Sequence, residues 1–247
     1  MKSRILEMDV DVTNINSVVS WVRERIFRRE GAYVCLSNVH MCMEVYDNPF
    51  FSKVVNSAGL VLPDGRPIFW AQKFLGFSQA THTRGEDVMA ELCAISAKDN
   101  IKIGLYGGSS ADVLDKVESA LAKRHEGIKI VYRYSPPFRE LSEGELDLIA
   151  SDIEKEKVDI LFVGIGCPKQ EIWMHQNLKR LNCVMLGVGA AFDFISGSKK
   201  HAPRYMQFLG LEWLHRLFSE PKRLWKRYLK QNPRFLFIFI KRLLFKA

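Results

Sequence analysis

The chain has no run of about 20 apolar residues, the length a helix needs to cross a bilayer. Its last apolar stretch, Phe235-Leu236-Phe237-Ile238-Phe239-Ile240, falls well short of that. A membrane-spanning helix is thereby excluded. The chain also lacks any Cys-x-x-Cys pair. Its five cysteines, Cys35, Cys42, Cys93, Cys167 and Cys183, are odd in number and scattered, which argues against a disulfide framework and predicts a reducing cytoplasm. The six histidines show no metal-ligand spacing. No Gly-x-x-x-x-Gly-Lys-[Ser/Thr] loop and no Gly-x-Ser-x-Gly elbow occurs, which sets aside P-loop and α/β-hydrolase chemistry. Residues 1–7 carry no apolar core of a signal peptide, and Asp9 and Asp11 follow directly, so no secretory signal is expected.

What is present is an ordinary globular composition with an uneven charge. The 247 residues are 47% hydrophobic and 26% charged, enough for one large domain, or one domain with an appendage, around a substantial core. Residues 199–247 hold 13 Lys and Arg against two acids, Glu212 and Glu220, whereas residues 1–198 are slightly acidic. The net +8 therefore belongs to the C-terminal fifth. Basic surface of this kind suits nucleic acid, an anionic membrane or a multiply charged substrate.

Short apolar runs at 33–38, 59–62, 101–106, 128–132, 158–163 and 183–186 alternate with amphipathic stretches at 14–29, 39–57, 66–75, 86–97, 111–125, 142–156 and 168–181. Strands apolar on both faces imply a parallel sheet covered by helices. The pattern predicts an α/β, doubly wound Rossmann-like parallel sheet, with ligands beyond the carboxyl ends of its strands. After Gly197 only helices are expected, at 203–209, 211–218, 221–230 and 233–245. We therefore expect a catalytic domain at 1–197 and a basic, amphipathic helical appendage at 198–247. In the third of these helices Leu224, Trp225, Tyr228 and Leu229 fall on one face, opposite Lys222, Arg223, Lys226, Arg227 and Lys230. That pairing suits a membrane surface. A stripe of Phe, Ile and Leu has no role on a phosphate backbone, so nucleic acid is not expected as a partner. Exposed apolar runs in the tail leave self-association open.

Several strand ends carry chemistry-bearing residues. Gly164-Ile165-Gly166-Cys167-Pro168-Lys169-Gln170-Glu171 joins a strand to a helix, and a Gly-x-Gly turn there lets backbone N–H groups and the helix N-terminus meet a phosphate. It is also compatible with an ordinary tight connection. Gly187-Val188-Gly189-Ala190-Ala191-Phe192-Asp193 repeats the arrangement, with Asp193 able to accept from a sugar or to cap a turn. Lys169 and Phe192 stand where Gly-x-Gly-x-x-Gly needs its third glycine, which weakens the rival reading, a nucleotide-dependent oxidoreductase or sugar epimerase. Pro63-Asp64-Gly65 places a carboxylate at a strand end, where it can serve as a general base or simply form a turn. Ser37-Asn38 ends another strand, and Arg84 precedes a helix, where it can clamp a phosphate or sit in solvent. Asp9-x-Asp11 matches a metal-diphosphate motif but lies far from the rest of the candidates.

Together, Ser37-Asn38, Pro63-Asp64-Gly65, Arg84-Gly85-x-Asp87, Gly107-Gly108, the Gly164 to Glu171 and Gly187 to Asp193 segments, Ala202-Pro203, Gly210-Leu211-Glu212-Trp213-Leu214-His215-Arg216-Leu217 and Glu220-Pro221-x-Arg223 resemble the WecG/TagA/CpsF family of glycosyltransferases, glycosyltransferase family 26. The resemblance spans nearly the whole chain. It implies transfer of a sugar (N-acetylmannosamine, its uronic acid, or glucose) from a UDP-sugar donor to a polyprenyl-diphosphate-linked sugar, with inversion and without metal or other cofactor. Such reactions serve teichoic acid, enterobacterial common antigen and exopolysaccharide synthesis. It further implies Asp64 as base, with Ser37 (in place of the family's threonine), Arg84 and Gln170 in the catalytic set. Asn38, Gly107, Gly108, Gly166, Pro168, Lys169 and Asp193 are the candidate substrate contacts, with Lys169 meeting either phosphate or solvent. Arg216, Arg223 and Arg227 would come from an appendage attached peripherally to the anionic inner face of the cell membrane.

Overall fold

The computed structural model describes residues 1–245; Lys246 and Ala247, the end of the expected appendage, lie outside the described residues. The chain begins with an antiparallel hairpin, β1 (Lys2–Ile5) and β2 (Met8–Asp11). Then come α1 (Ile15–Arg28), β3 (Ala32–Ser37), α2 (Val39–Asp47), α3 (Pro49–Asn56), β4 (Leu60–Pro63), α4 (Arg66–Phe74), α5 (Gly85–Asp99), β5 (Lys102–Gly107), α6 (Ala111–Arg124) and β6 (Lys129–Tyr134). α7 (Glu143–Glu156), β7 (Ile160–Gly164), α8 (Lys169–Asn177), β8 (Val184–Gly187) and α9 (Ala191–Ile195) complete the alternation. The C-terminal helices are α10 (Arg204–Phe208), α11 (Glu212–Ser219) and α12 (Pro221–Leu244).

Strands β3 to β8 form one sheet in the order β4-β3-β8-β7-β5-β6, every pair parallel. The doubly wound architecture expected from the alternation is the one observed. The hairpin, α2, α3, α4, α7 and α8 cover one face, with Phe235 and Phe239 of α12 joining that core. Helices α1, α5, α6 and α9 cover the other. Local signals account for several boundaries. Asn14 and Ser110 cap α1 and α6 through their side-chain oxygens, and Ser142 and Glu145 form a complete capping box on α7.

Three expectations about the elements need correction. The stretch 39–57 is two helices, because Asn48 accepts N–H bonds from Phe50 and Phe51 and Pro49 opens a new first turn. Residues 2–11 form a hairpin that the sequence reading left without structure; its turn at Leu6 and Glu7 has Leu6 at φ 53°, with no Gly or Asn to signal it. The break expected at Pro233 does not occur, and α12 runs through it. Contacts to α2 hold both sides of the proline. Gln231 bonds His40 Nδ1 at 2.7 Å and donates to Glu44 at 3.2 Å, while Arg234 pairs bidentately with Asp47 at 2.5 and 2.6 Å. Tertiary contacts of this kind offset the lost backbone bond. No helix among the described residues is long and apolar enough to cross a membrane.

Candidate functional site

Parallel register brings all six carboxyl strand ends to one edge of the sheet, and a cleft of about 1230 Å³ opens there. Its walls include Asn38 after β3, Asp64 after β4, Gly108 after β5, Pro136 after β6, Gly164 to Gly166 after β7 and Gly187 to Asp193 after β8. Arg216, Arg223 and Arg227 enter from α11 and α12. Sites for one small ligand usually measure roughly 300–1,000 Å³. The present volume has room for two.

Asp64 sits where β4 gives way to α4. Its Oδ1 accepts the N–H of Gly85, the first residue of α5, at 2.6 Å. A Cβ at residue 85 would lie 2.4 Å from Leu36 Cδ1, so a larger residue there would have to displace the Leu36 side chain. Burial pushes the Asp64 carboxyl above the ordinary carboxylate range, against the opposing pull of the Gly85 N–H, His82, Arg84 and Arg216. His82 Nε2 donates to the Asp64 carbonyl at 2.6 Å. Burial lowers the His82 pKa, so the imidazole is neutral near pH 7.

Arg84 lies beside Asp64, and its partners come from the start of α5 and from the C-terminal segment. Nη1 donates to Gln207 Oε1 at 2.9 Å, and Nη2 reaches Glu86 at 3.3 Å and Glu212 at 3.5 Å. A second cluster ties α9 to the C-terminal helices. Lys199 Nζ stands 2.5 Å from Asp193 and 3.4 Å from Glu220, whose carboxylate also accepts from Arg223 at 2.6 Å. Asp193, expected at a sugar, is thus paired with Lys199. The Nε atoms of Arg216 and Arg227 are buried without a partner.

Two residues of the expected set occupy different roles. Ser37 is fully buried, and its hydroxyl donates to the Leu62 carbonyl at 2.7 Å, so it stitches β3 to β4 and does not line the cleft. Gln170 lines the cleft but is 3% exposed, with both amide hydrogens spent. Nε2 donates to Gly187 O at 3.0 Å and to Glu171 Oε1 at 2.7 Å, while Oε1 accepts the Gly166 N–H at 3.1 Å. The Gly166 N–H, expected to face a phosphate, is therefore held by Gln170.

The remaining residues divide between lining and support. Asn38 lines the cleft and caps α2 by accepting the Met41 N–H at 3.2 Å. Gly108 and Lys169 line it, and Lys169 is exposed at the first position of α8. Gly107 and Pro168 do not. Gly107, at φ +128°, permits the approach of β5 to β7, since a Cβ there would lie 2.5 Å from the Gly164 backbone. Asp9 pairs with Arg4, and Asp11 accepts the Val61 N–H at 2.8 Å, so Asp9-x-Asp11 belongs to the hairpin and not to the cleft. No group of three metal-ligating side chains converges among the described residues. Sequence reading missed Glu86, Lys199 and His201 as wall residues. They carry no motif spacing, and only the return of the C-terminal segment over the sheet edge brings them together.

A family model described as "Glycosyl transferase WecG/TagA/CpsF family" matches residues 3–247. A Bacillus subtilis (strain 168) protein named N-acetylglucosaminyldiphosphoundecaprenol N-acetyl-beta-D-mannosaminyltransferase is 30% identical over 220 residues, 88% of this chain and 83% of that one. Proteins of the same name from Bacillus spizizenii and Staphylococcus aureus (strain MW2) are 27% and 26% identical. They cover 91% and 96% of this chain, and 86% and 91% of their own.

Proposed function

The chain belongs to the WecG/TagA/CpsF family of glycosyl transferases, and we propose that it moves N-acetylmannosamine from a UDP-sugar to N-acetylglucosamine carried on a polyprenyl diphosphate, in cell-wall polymer synthesis. The donor and acceptor sugars follow the names of the relatives. One arrangement carries the reading: the Asp64 carboxylate, half-buried beside arginines, in a cleft with room for two substrates. With Oδ1 held by Gly85, Oδ2 is the oxygen for an acceptor hydroxyl. As that hydroxyl attacks the anomeric carbon from the face opposite UDP, its proton passes to Asp64. The carbon–oxygen bond to UDP breaks, and UDP leaves with the electron pair and inverts the centre.

Leaving-group charge needs fixed positive partners. Arg216 and Arg227, each with a buried, unpaired Nε at the cleft, suit that task without a metal ion. We divide the chain into a catalytic unit at 1–197 and a membrane-associating appendage at 198–247, peripheral on the cytoplasmic face of the membrane where a lipid-linked acceptor resides. A panel of UDP-sugars (N-acetylmannosamine, its uronic acid and glucose) with a short-chain lipid-diphosphate N-acetylglucosamine acceptor, read by mass spectrometry in EDTA, tests this. Product with UDP-N-acetylmannosamine is expected. Absence of product with every donor, or a strict metal requirement, counts against it.

A further inference from the structure

Glu171 is fully buried in the first turn of α8, between Gln170 and Ile172, which both line the cleft. Its Oε1 accepts from Gln170 Nε2 at 2.7 Å, the shortest of the three bonds made by that amide, and its Oε2 has no partner. Gln170 spans two glycine turns: it accepts from the Gly166 N–H of one and donates to the Gly187 carbonyl of the other. The fit against the second turn is tight, since a Cβ at 187 would lie 2.9 Å from Gln170 Nε2. Gly166 itself stands at φ +86°, a conformation open to glycine but one that its permissive backbone does not hold fixed.

We propose that Glu171 is a positioning residue for the nucleotide diphosphate: by taking the second amide hydrogen of Gln170 it keeps that side chain as a strut, which fixes the Gly164 to Gly166 turn against the end of β8. The inference rests on the transferase reading for the identity of the ligand. Above about pH 7, where Glu171 is ionised, a bond to it is about twice as strong as a neutral one. Without it, one Gln170 N–H is freed, and the amide can swing toward the cleft and release Gly166. A preorganised cradle then becomes a mobile one, and the binding step bears the ordering cost. Burying a carboxylate with one oxygen unpaired is costly for the fold. A glutamine at 171 offers the same acceptor without that cost, but with a weaker bond.

The test uses the full chain and three variants: Glu171→Met, Glu171→Gln and Gln170→Met. In E171M, exchange of the Gly166 amide, followed by NMR without ligand, is expected to accelerate by about two orders of magnitude. UDP binding by calorimetry at about pH 8, where Glu171 is ionised, weakens about tenfold, the loss of one charge-assisted bond. The KM for the UDP-sugar rises in step while that for the acceptor stays put, a split that general loosening of the fold does not produce. E171Q lies between E171M and wild type. Unchanged Gly166 exchange and unchanged UDP affinity in folded E171M overturn the proposal. If E171M does not fold, E171Q and Q170M carry the same readings, and wild-type behaviour in both is equally fatal. A wild-type chain that binds no UDP sinks the transferase reading instead, and Gly166 exchange then decides the strut by itself.

Discussion

Arg84 Nη1 donates to Gln207 Oε1 at 2.9 Å, across 123 positions of sequence. Gln207 is in turn fixed by donating Nε2 to the Ala202 carbonyl at 2.7 Å. The segment that returns over the sheet edge thus orients one arm of an arginine of the α/β unit through a neutral acceptor on Nη1. The other arm, Nη2, already pairs with Glu86 at 3.3 Å and Glu212 at 3.5 Å, and without Gln207 these carboxylates alone would set the guanidinium's direction. Gln207→Ala is therefore expected to lower kcat/KM by about tenfold, the weight of one hydrogen bond to a charged group. Melting temperature should hardly change, because Gln207 is only half-buried. Wild-type kcat/KM in Q207A would show that Arg84 needs no such hold.

Asp64→Asn keeps the size of the side chain and the bond from Gly85, so the fold is expected to survive. Transfer should fall by about 10²–10⁴-fold, the usual contribution of a general base. The pH profile carries a second expectation. A base must be deprotonated to act, and burial raises the pKa of Asp64. The acid limb of kcat/KM should therefore rise at a pH above that of an ordinary aspartate. Turnover near wild type in D64N, or an acid limb at the ordinary position, removes Asp64 from this role.

Glu171 gives a pH dependence of stability with a definite sign. Its pKa is pushed up to about 7 by burial, against the pull of Gln170, Cys167 and Arg227. An unfolded chain releases this proton near pH 4.5, whereas the folded chain keeps it to about pH 7. Between those values the folded state binds more protons, so stability falls as pH rises. The contribution is whole below pH 4.5 and is lost through pH 7, amounting to roughly 3 kcal/mol. The facing thiols of Cys35 and Cys167 are pushed far up by burial and stay neutral throughout. Arg227 stays charged. Denaturant unfolding of E171Q at pH 5 and 8 should lack most of this decline. Parallel pH curves for E171Q and wild type would assign the decline elsewhere.

The strand ends were legible because a buried parallel strand leaves an apolar run that stops at the site. Asp64, Gly166 and Asp193 could all be placed at one edge from that alone. The side chains that serve the fold were not legible. Ser37 and Gln170 look like substrate contacts in a motif. Yet Ser37 turns its hydroxyl onto the neighbouring strand, and Gln170 turns its amide onto two glycine turns. A linear pattern carries no information about which way a polar group at a strand end turns. Pro233 misled for the opposite reason: its local penalty is real, but His40, Glu44 and Asp47 lie nearly 190 residues away.

The last helix shows the same limit and yields a prediction. Leu224, Trp225, Tyr228 and Leu229 were expected to share one free apolar face. Instead Leu224, Tyr228, Phe235 and Phe239 are buried, while Trp225, Leu229, Leu236, Ile240 and Leu243 remain exposed. At 100° per residue these five fall within about 60° of arc, and the two further exposed apolar residues, Phe237 and Leu244, widen it to about 120°. Arg242 bonds Leu6 O at 2.9 Å and Glu7 at 2.6 Å, so the end of α12 is clamped to the hairpin. The two stripes should separate experimentally. Phe239→Ala should destabilise the fold by about 3 kcal/mol, as core Phe truncations do. The triple variant Leu229→Ser, Leu236→Ser, Ile240→Ser should melt like wild type, yet lose at least about tenfold in affinity for phosphatidylglycerol vesicles, as about 0.8 kcal/mol per buried methylene requires. Unchanged vesicle binding by that variant would mean that the exposed stripe does not meet the membrane, and that the basic side chains beside it act alone.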